Sequence, residues 1–191
     1  MRIGLPLGRI DASTIPPRRI RFPTRDIRPV RFRRRSAPAR DLRPPSVPLV
    51  ACDPYFSVWS GTDRLTDGAT RHWTGKPHPL TSLIRIDDKA YRLMGPTPGA
   101  VPAMPQVGLK VLPTRTIYDF EGPEAHVTLT FLTPPPHDLD VLSRPVTYMT
   151  WDVRSRDGKD HAVSVYFDAS GLLAANTPDQ RSNSRARTSA G

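Results

Sequence analysis

The sequence predicts an all-β fold, an antiparallel β-sandwich with disordered N- and C-terminal tails. Three observations lead there. Short runs alternate apolar and polar residues with period two, the spacing of a strand with one buried face. Pro, Gly and Asp punctuate these runs at short intervals, as turns require. No stretch holds a 3.6-residue apolar period over the length of a helix. The 191 residues suffice for one ordinary domain. We place it at residues 44–180, as a β-sandwich domain between a disordered Arg/Pro-rich tail at 1–43 and a second disordered tail at 181–191.

The first tail carries the charge. Residues 1–43 hold 13 Arg and 3 Asp, while 44–191 hold 15 Lys and Arg against 15 Asp and Glu. The formal charge of +10 therefore belongs to the tail and not to a folded surface. Pro repeatedly interrupts RRIRFPTRDIRPVRFRRRSAPARDLRPP, which has too little apolar material to fold alone. Two readings fit: a basic arm for RNA, DNA or anionic lipid, or solvated disorder, including translated sequence upstream of the true start. The composition favours the second. Arg, Pro and Ala dominate, as GC-rich coding gives, and only Phe22 and Phe32 are interleaved, so base stacking is poorly supported. No nucleic-acid or membrane partner is expected. Residues 3–10, IGLPLGRI, are broken by Pro6 and Arg9 and make no signal-peptide core. No run is long enough to span a bilayer.

The predicted strands follow in order. Leu49–Cys52 and Tyr55–Trp59 are extended around Asp53-Pro54, because the residue before a proline avoids the helical region. Cys52, the single cysteine, excludes an internal disulfide and a Cys-based metal cluster, and reads as a small buried thiol. Gly61–Gly75 is a long polar loop. Leu80–Ile86 and Lys89–Met94 form a hairpin about Asp87-Asp88, with Leu80, Ser82, Ile84 and Ile86 on one parity and Tyr91 and Leu93 together on the other strand. Pro96–Pro105 is a loop. Gln106–Leu112 offers Val107, Leu109 and Val111 to one face. Thr114–Phe120 offers Thr116, Tyr118 and Phe120, and Ala125–Leu132 turns Val127, Leu129 and Phe131 inward. Val146–Val153 and Ala162–Phe167 flank Arg156-Asp157-Gly158-Lys159, and Asp-Gly predicts a tight hairpin joining them. Val163, Val165 and Phe167 share a face.

Catalytic motifs are scarce. The sequence contains no GxSxG, P-loop, GxGxxG or HExxH. His72, His78, His126, His137 and His161 are scattered. His72 and His78 share a loop, but no carboxylate at a known spacing makes a metal site of them, so no metal and no cofactor is expected. Asp87-Asp88 reads as a turn before it reads as a carboxylate pair. Asp138 and Asp140 sit in a Pro-rich connection. The candidate binding residues are Tyr55, Trp59 and Trp73. Such aromatics stack on sugars or anchor a partner domain, because they bury much area at small entropic cost. The alternative is that they plug one end of the sandwich core.

Four blocks in series resemble the N-terminal region of the glutaminase A family. They are PLVACDPYFSVWS at 48–60, HWTGKPHPLTSLIRIDDKAYRLMG at 72–95, PTRTIYDFEGPEAHVTLTFLTP at 113–134 and RPVTYMTWDVRSRDGKDHAVSVYFDASG at 144–171. Together they cover roughly residues 46–176, in matching order and spacing. The resemblance implies a β-sandwich that precedes a larger helical-barrel domain in secreted or periplasmic amidase-like proteins. The family name implies hydrolysis of glutamine to glutamate and ammonia. The helical domain is expected to be absent here, which makes the chain an inactive fragment on this reading, and no catalytic residue carries over. A free-standing carbohydrate- or ligand-binding sandwich is the other reading.

Overall fold

The computed structural model describes residues 43–134, 146–175, 177, 179 and 180. The expectations for the two tails fall outside these residues, apart from Arg43, as do His137, Asp138 and Asp140. The described residues are all β save for one short 3-10 helix, Gly171–Leu173. Nine strands run in chain order: β1 (Val47–Ala51), β2 (Ser57–Ser60), β3 (Leu80–Ile86), β4 (Lys89–Met94), β5 (Gln106–Leu112), β6 (Arg115–Glu121), β7 (Ala125–Leu132), β8 (Tyr148–Ser155) and β9 (Val163–Ala169). They build a two-stranded ribbon β1-β2, a three-stranded sheet β4-β3-β9 and a four-stranded sheet β5-β6-β7-β8, with every pairing antiparallel. No helix among the described residues is long and apolar enough to cross a membrane.

Alternation decides which side chains face inward. β3 and β7 alternate strictly between buried and half-buried positions. Their inward residues Leu80, Ser82, Ile84 and Ile86, and Ala125, Val127, Leu129 and Phe131, line one shared core. Tyr118 and Phe120 of β6 join it, with the Tyr118 ring 6.4 Å from Phe120 and edge-on to Phe131 at 6.3 Å. The two larger sheets meet face to face. Trp151 of β8 packs edge-on against Phe167 of β9 at 6.0 Å and donates from Nε1 to Ser82 Oγ of β3 at 3.2 Å. The ribbon closes one side, where Thr116 Oγ1 donates to the Pro48 carbonyl at 2.6 Å.

The Asp87-Asp88 hairpin forms as predicted, with Asp87 at φ 52, a conformation short polar side chains tolerate. Three expectations need correction. The Asp157-Gly158 segment turns, with Gly158 at φ 73, but it does not join a hairpin. β8 pairs with β7 and β9 pairs with β3, so residues 156–162 cross from one sheet to the other. Asp-Gly encodes a local reversal, and the choice of pairing partner belongs to the rest of the fold. Val107 does not face the core. A register shift between Gln106 and Gly108 leaves it 55% exposed on an edge strand. Cys52 is half-buried, its Sγ 3.4 Å from Thr147 Oγ1.

The loops also supply core. Leu65 and Met104 are each 1% exposed, although both lie in stretches without strand periodicity. Arg92 fixes these loops by donating to the carbonyls of Val101 at 2.8 Å, Gly95 at 2.8 Å and Thr66 at 3.3 Å. Gln106 adds a clamp, accepting from Leu65 N at 2.9 Å.

Candidate functional site

Two loops meet beside the β1-β2 ribbon and carry two of the predicted aromatics, Tyr55 and Trp73. The first is the turn after β1. Asp53 Oδ1 accepts from the amides of Tyr55 at 2.7 Å and Phe56 at 2.9 Å, which folds the chain back on itself. That turn points the Pro54 carbonyl toward the second loop, residues 70–79. There Pro54 O accepts from His72 Nε2 at 3.0 Å and from Trp73 Nε1 at 2.7 Å.

The tautomer of His72 follows from its other nitrogen. The Thr74 amide reaches Nδ1 at 3.3 Å and the Thr74 hydroxyl lies 2.8 Å from it. An amide can only donate, so Nδ1 holds the lone pair and the proton sits on Nε2, facing Pro54 O. His78 lies 5.1 Å from His72, ring centre to ring centre. Its Nδ1 faces the Ser57 carbonyl at 3.4 Å. Burial pushes the His78 pKa down, and the Ser57 carbonyl opposes that only in part. The loop is hung from Thr70, whose hydroxyl donates to His78 O at 2.7 Å and accepts from Leu80 N at 2.8 Å.

The three predicted residues separate in this geometry. Tyr55 is 91% exposed and Trp73 is 63% exposed, on either side of Pro54. Neither fills the sandwich core. Trp73 leans on the His72 ring at 5.5 Å with a 43° tilt. Trp59 is half-buried in β2, paired with Pro48 and bridged to Arg71. Trp59 Nε1 and Ser57 Oγ are buried without a hydrogen-bond partner among the described residues. Residues two apart on a strand share a face, so both atoms serve the same side of β2.

What this arrangement offers is contact. Two exposed rings flank a turn that four hydrogen bonds involving side chains and a backbone reversal hold in place. His72 and His78 come together as their shared loop allows, yet His72 spends both nitrogens on Thr74 and Pro54. Among the described residues no group of three or more His, Cys, Asp or Glu could hold a metal ion. Sequence reading missed the roles of Pro54, Thr70 and Thr74. Only Thr70 and Thr74, polar residues flanking a buried histidine, offered a signal, and it is a weak one.

The other described histidines, His126 and His161, are also engaged. His126 Nε2 lies 3.4 Å from both Asp119 Oδ1 and Thr128 Oγ1, but the Thr128 hydroxyl donates to Asp119 at 2.8 Å. The imidazole therefore does not take the hydroxyl proton. His161 sits between two carboxylates.

Comparison with known proteins gives three findings. Residues 31–104 match a family described as a domain of unknown function (DUF4964), and residues 114–191 match a second, also a domain of unknown function (DUF5127). The two regions share a sheet here, because β9 from the second pairs along its whole length with β3 from the first. The chain is 33% identical over 142 residues to glutaminase A of Aspergillus oryzae (strain ATCC 42149 / RIB 40), which spans 70% of this chain and 20% of that protein. No solved structure matches.

Proposed function

Because this chain corresponds to the N-terminal region of the glutaminase A family, we propose that its sandwich is an accessory module of a glutaminase-type amide hydrolase and is itself inactive. The observation that carries this reading is how His72 and His161 are used. Amide hydrolysis needs a nucleophile or activated water beside a base, together with a site for the oxyanion. His72 is committed to Thr74 and Pro54, His161 to Asp87 and Asp157, and Thr128 gives its proton to a carboxylate. The part of the enzyme that does chemistry is then the helical-barrel domain the family resemblance implies. The exposed Tyr55 and Trp73 are the surface offered to it.

The test is ammonia release from glutamine by the purified chain against a heat-killed control. The expected result is no difference, and sustained release above the control overturns the reading. A second reading is a free-standing carbohydrate- or ligand-binding module, favoured by the same exposed pair. Replacing Trp73 with Ala separates the two. Loss of binding on a glycan array supports the carbohydrate module. Loss of association with a separately produced helical domain supports the accessory role.

A further inference from the structure

A second cluster lies at one end of the molecule, apart from the aromatic corner. The β3–β4 turn and the crossover 156–162 meet there. Asp87 N donates to Ala162 O at 2.7 Å, and Ala162 N donates to Asp87 Oδ1 at 2.9 Å. Between the two segments lies His161, its side chain 11% exposed. Its Nδ1 is 2.8 Å from Asp87 Oδ2 and its Nε2 is 2.9 Å from Asp157 Oδ1. Asp157 is in turn fixed by Ser155 Oγ and by the Lys159 amide, each donating to Oδ1 at 3.0 Å.

A neutral imidazole carries one N–H. In that form one ring nitrogen would turn its lone pair on a carboxylate less than 3 Å away. Only the imidazolium makes both contacts favourable. The other charged groups nearby do not substitute for it. On the β3–β4 side Asp88 adds negative charge at the same turn, and Lys89 is spent on Glu124 of the β6–β7 turn at 2.7 Å. On the crossover side stand Asp160 and Lys159, the latter 3.9 Å from Asp157 Oδ2 and largely exposed. At the start of the crossover Arg156 is turned toward Glu121 and the Gly122 carbonyl.

We propose that Asp87, His161 and Asp157 form a proton-controlled clasp that holds the leading end of β9 on β3. β9 begins one residue after Ala162, and its first pair, Ile86 with Val163, abuts the turn. Among the described strands β9 pairs on one side only, with β3. When His161 loses its proton, one of its two contacts turns repulsive and the crossover loosens. β9 then peels from its start and bares a sheet edge.

The titration signs agree with this geometry. The hydrogen bond to Asp87, then that to Asp157, raises the His161 pKa, and the bond to His161 lowers the pKa of both carboxylates. A raised histidine contributes stability that is full below its unfolded value, about 6.5, and lost as pH rises through the higher folded value. The depressed carboxylates contribute stability that is full above about 3.9 and lost as pH falls through their lower folded values. The clasp therefore holds from mildly acidic pH up to the raised imidazole value.

The experiment is an NMR titration of the full chain. The His161 ring signal is followed from pH 5 to 9, together with the exchange protection of the Ala162 and Lys159 amides. The expected His161 midpoint lies above that of a free histidine, because both carboxylates favour the imidazolium. As pH rises through that midpoint, Ala162 protection falls by about tenfold for each pH unit that separates the midpoint from the free value. Asp87→Asn returns the midpoint toward the free value, and in His161→Gln the protection of Ala162 no longer depends on pH beyond the intrinsic exchange rate. A midpoint at or below that of free histidine in the unaltered chain overturns the clasp, whether or not the variants fold. So does the same pH dependence of Ala162 protection in His161→Gln.

Discussion

Replacing Thr70 with Val tests whether the loop bearing Trp73 is held by one buried hydroxyl. Thr70 is 1% exposed, and its Oγ1 both donates to His78 O at 2.7 Å and accepts from Leu80 N at 2.8 Å. Val keeps the shape and deletes the hydroxyl, so no cavity confuses the outcome. It leaves two buried backbone groups without that partner. Each orphaned group costs about 1–3 kcal/mol, and the added methyl returns about 1 kcal/mol. The net expectation is a loss of about 3 kcal/mol, a large share of the ~5–15 kcal/mol typical of a domain. Urea unfolding followed by tryptophan fluorescence measures it. Thr70→Ser is the control. It retains the hydroxyl and gives up only a buried methyl, about 1 kcal/mol. A Val variant within about 0.5 kcal/mol of the unaltered protein, or a Ser variant as damaged as Val, refutes the reasoning.

Gly95→Ala is expected to destabilise by about 1–3 kcal/mol, measurable by thermal melting. Gly95 has φ 86, and an added Cβ would lie 3.0 Å from the Leu80 carbonyl oxygen. The Tyr118 phenol is pushed up to about 12, by burial above all. An absorbance titration at the phenolate wavelength should leave Tyr118 un-ionised well above the ordinary phenol value of about 10. Since the folded state keeps this proton longer than the unfolded chain, stability falls as pH rises between those two values. A Tyr118→Phe variant should lose that part of the fall, and an unchanged alkaline profile would count against the assignment.

The relation between the two matched family regions gains a physical meaning from the sheet topology. The first contributes the β3–β4 hairpin and the second contributes β9, yet these three strands form one sheet. Ser82 illustrates the consequence. It accepts from Trp151 and donates to the Tyr166 carbonyl at 3.3 Å, so one fully buried hydroxyl joins strands of both regions. Separating the regions would leave that hydroxyl and the inward face of β3 uncovered.

How much of this was legible in advance depends on the range of the interaction. Leu80–Ile86, Lys89–Met94, Gln106–Leu112 and Ala125–Leu132 could be read to the residue, because alternation and turn chemistry act between neighbours in the chain. The Asp87 turn was legible for the same reason. The exposed aromatic pair was legible only as residue types. That Tyr55 and Trp73 flank one carbonyl while Trp59 lies in the ribbon depends on how two loops dock. Leu65 and Met104 entered the core without any periodic signal, because a loop residue is buried by what closes over it. Asp157-Gly158 announced a reversal and was silent about its partners. β8 found β7 and β9 found β3, since each inward face had to be covered by the opposite sheet. His161 meets Asp87 across 74 residues of sequence for that reason alone. Local backbone preference fixes where a strand begins and ends, whereas the burial of faces, a property of the whole chain, decides which strands and which charges meet.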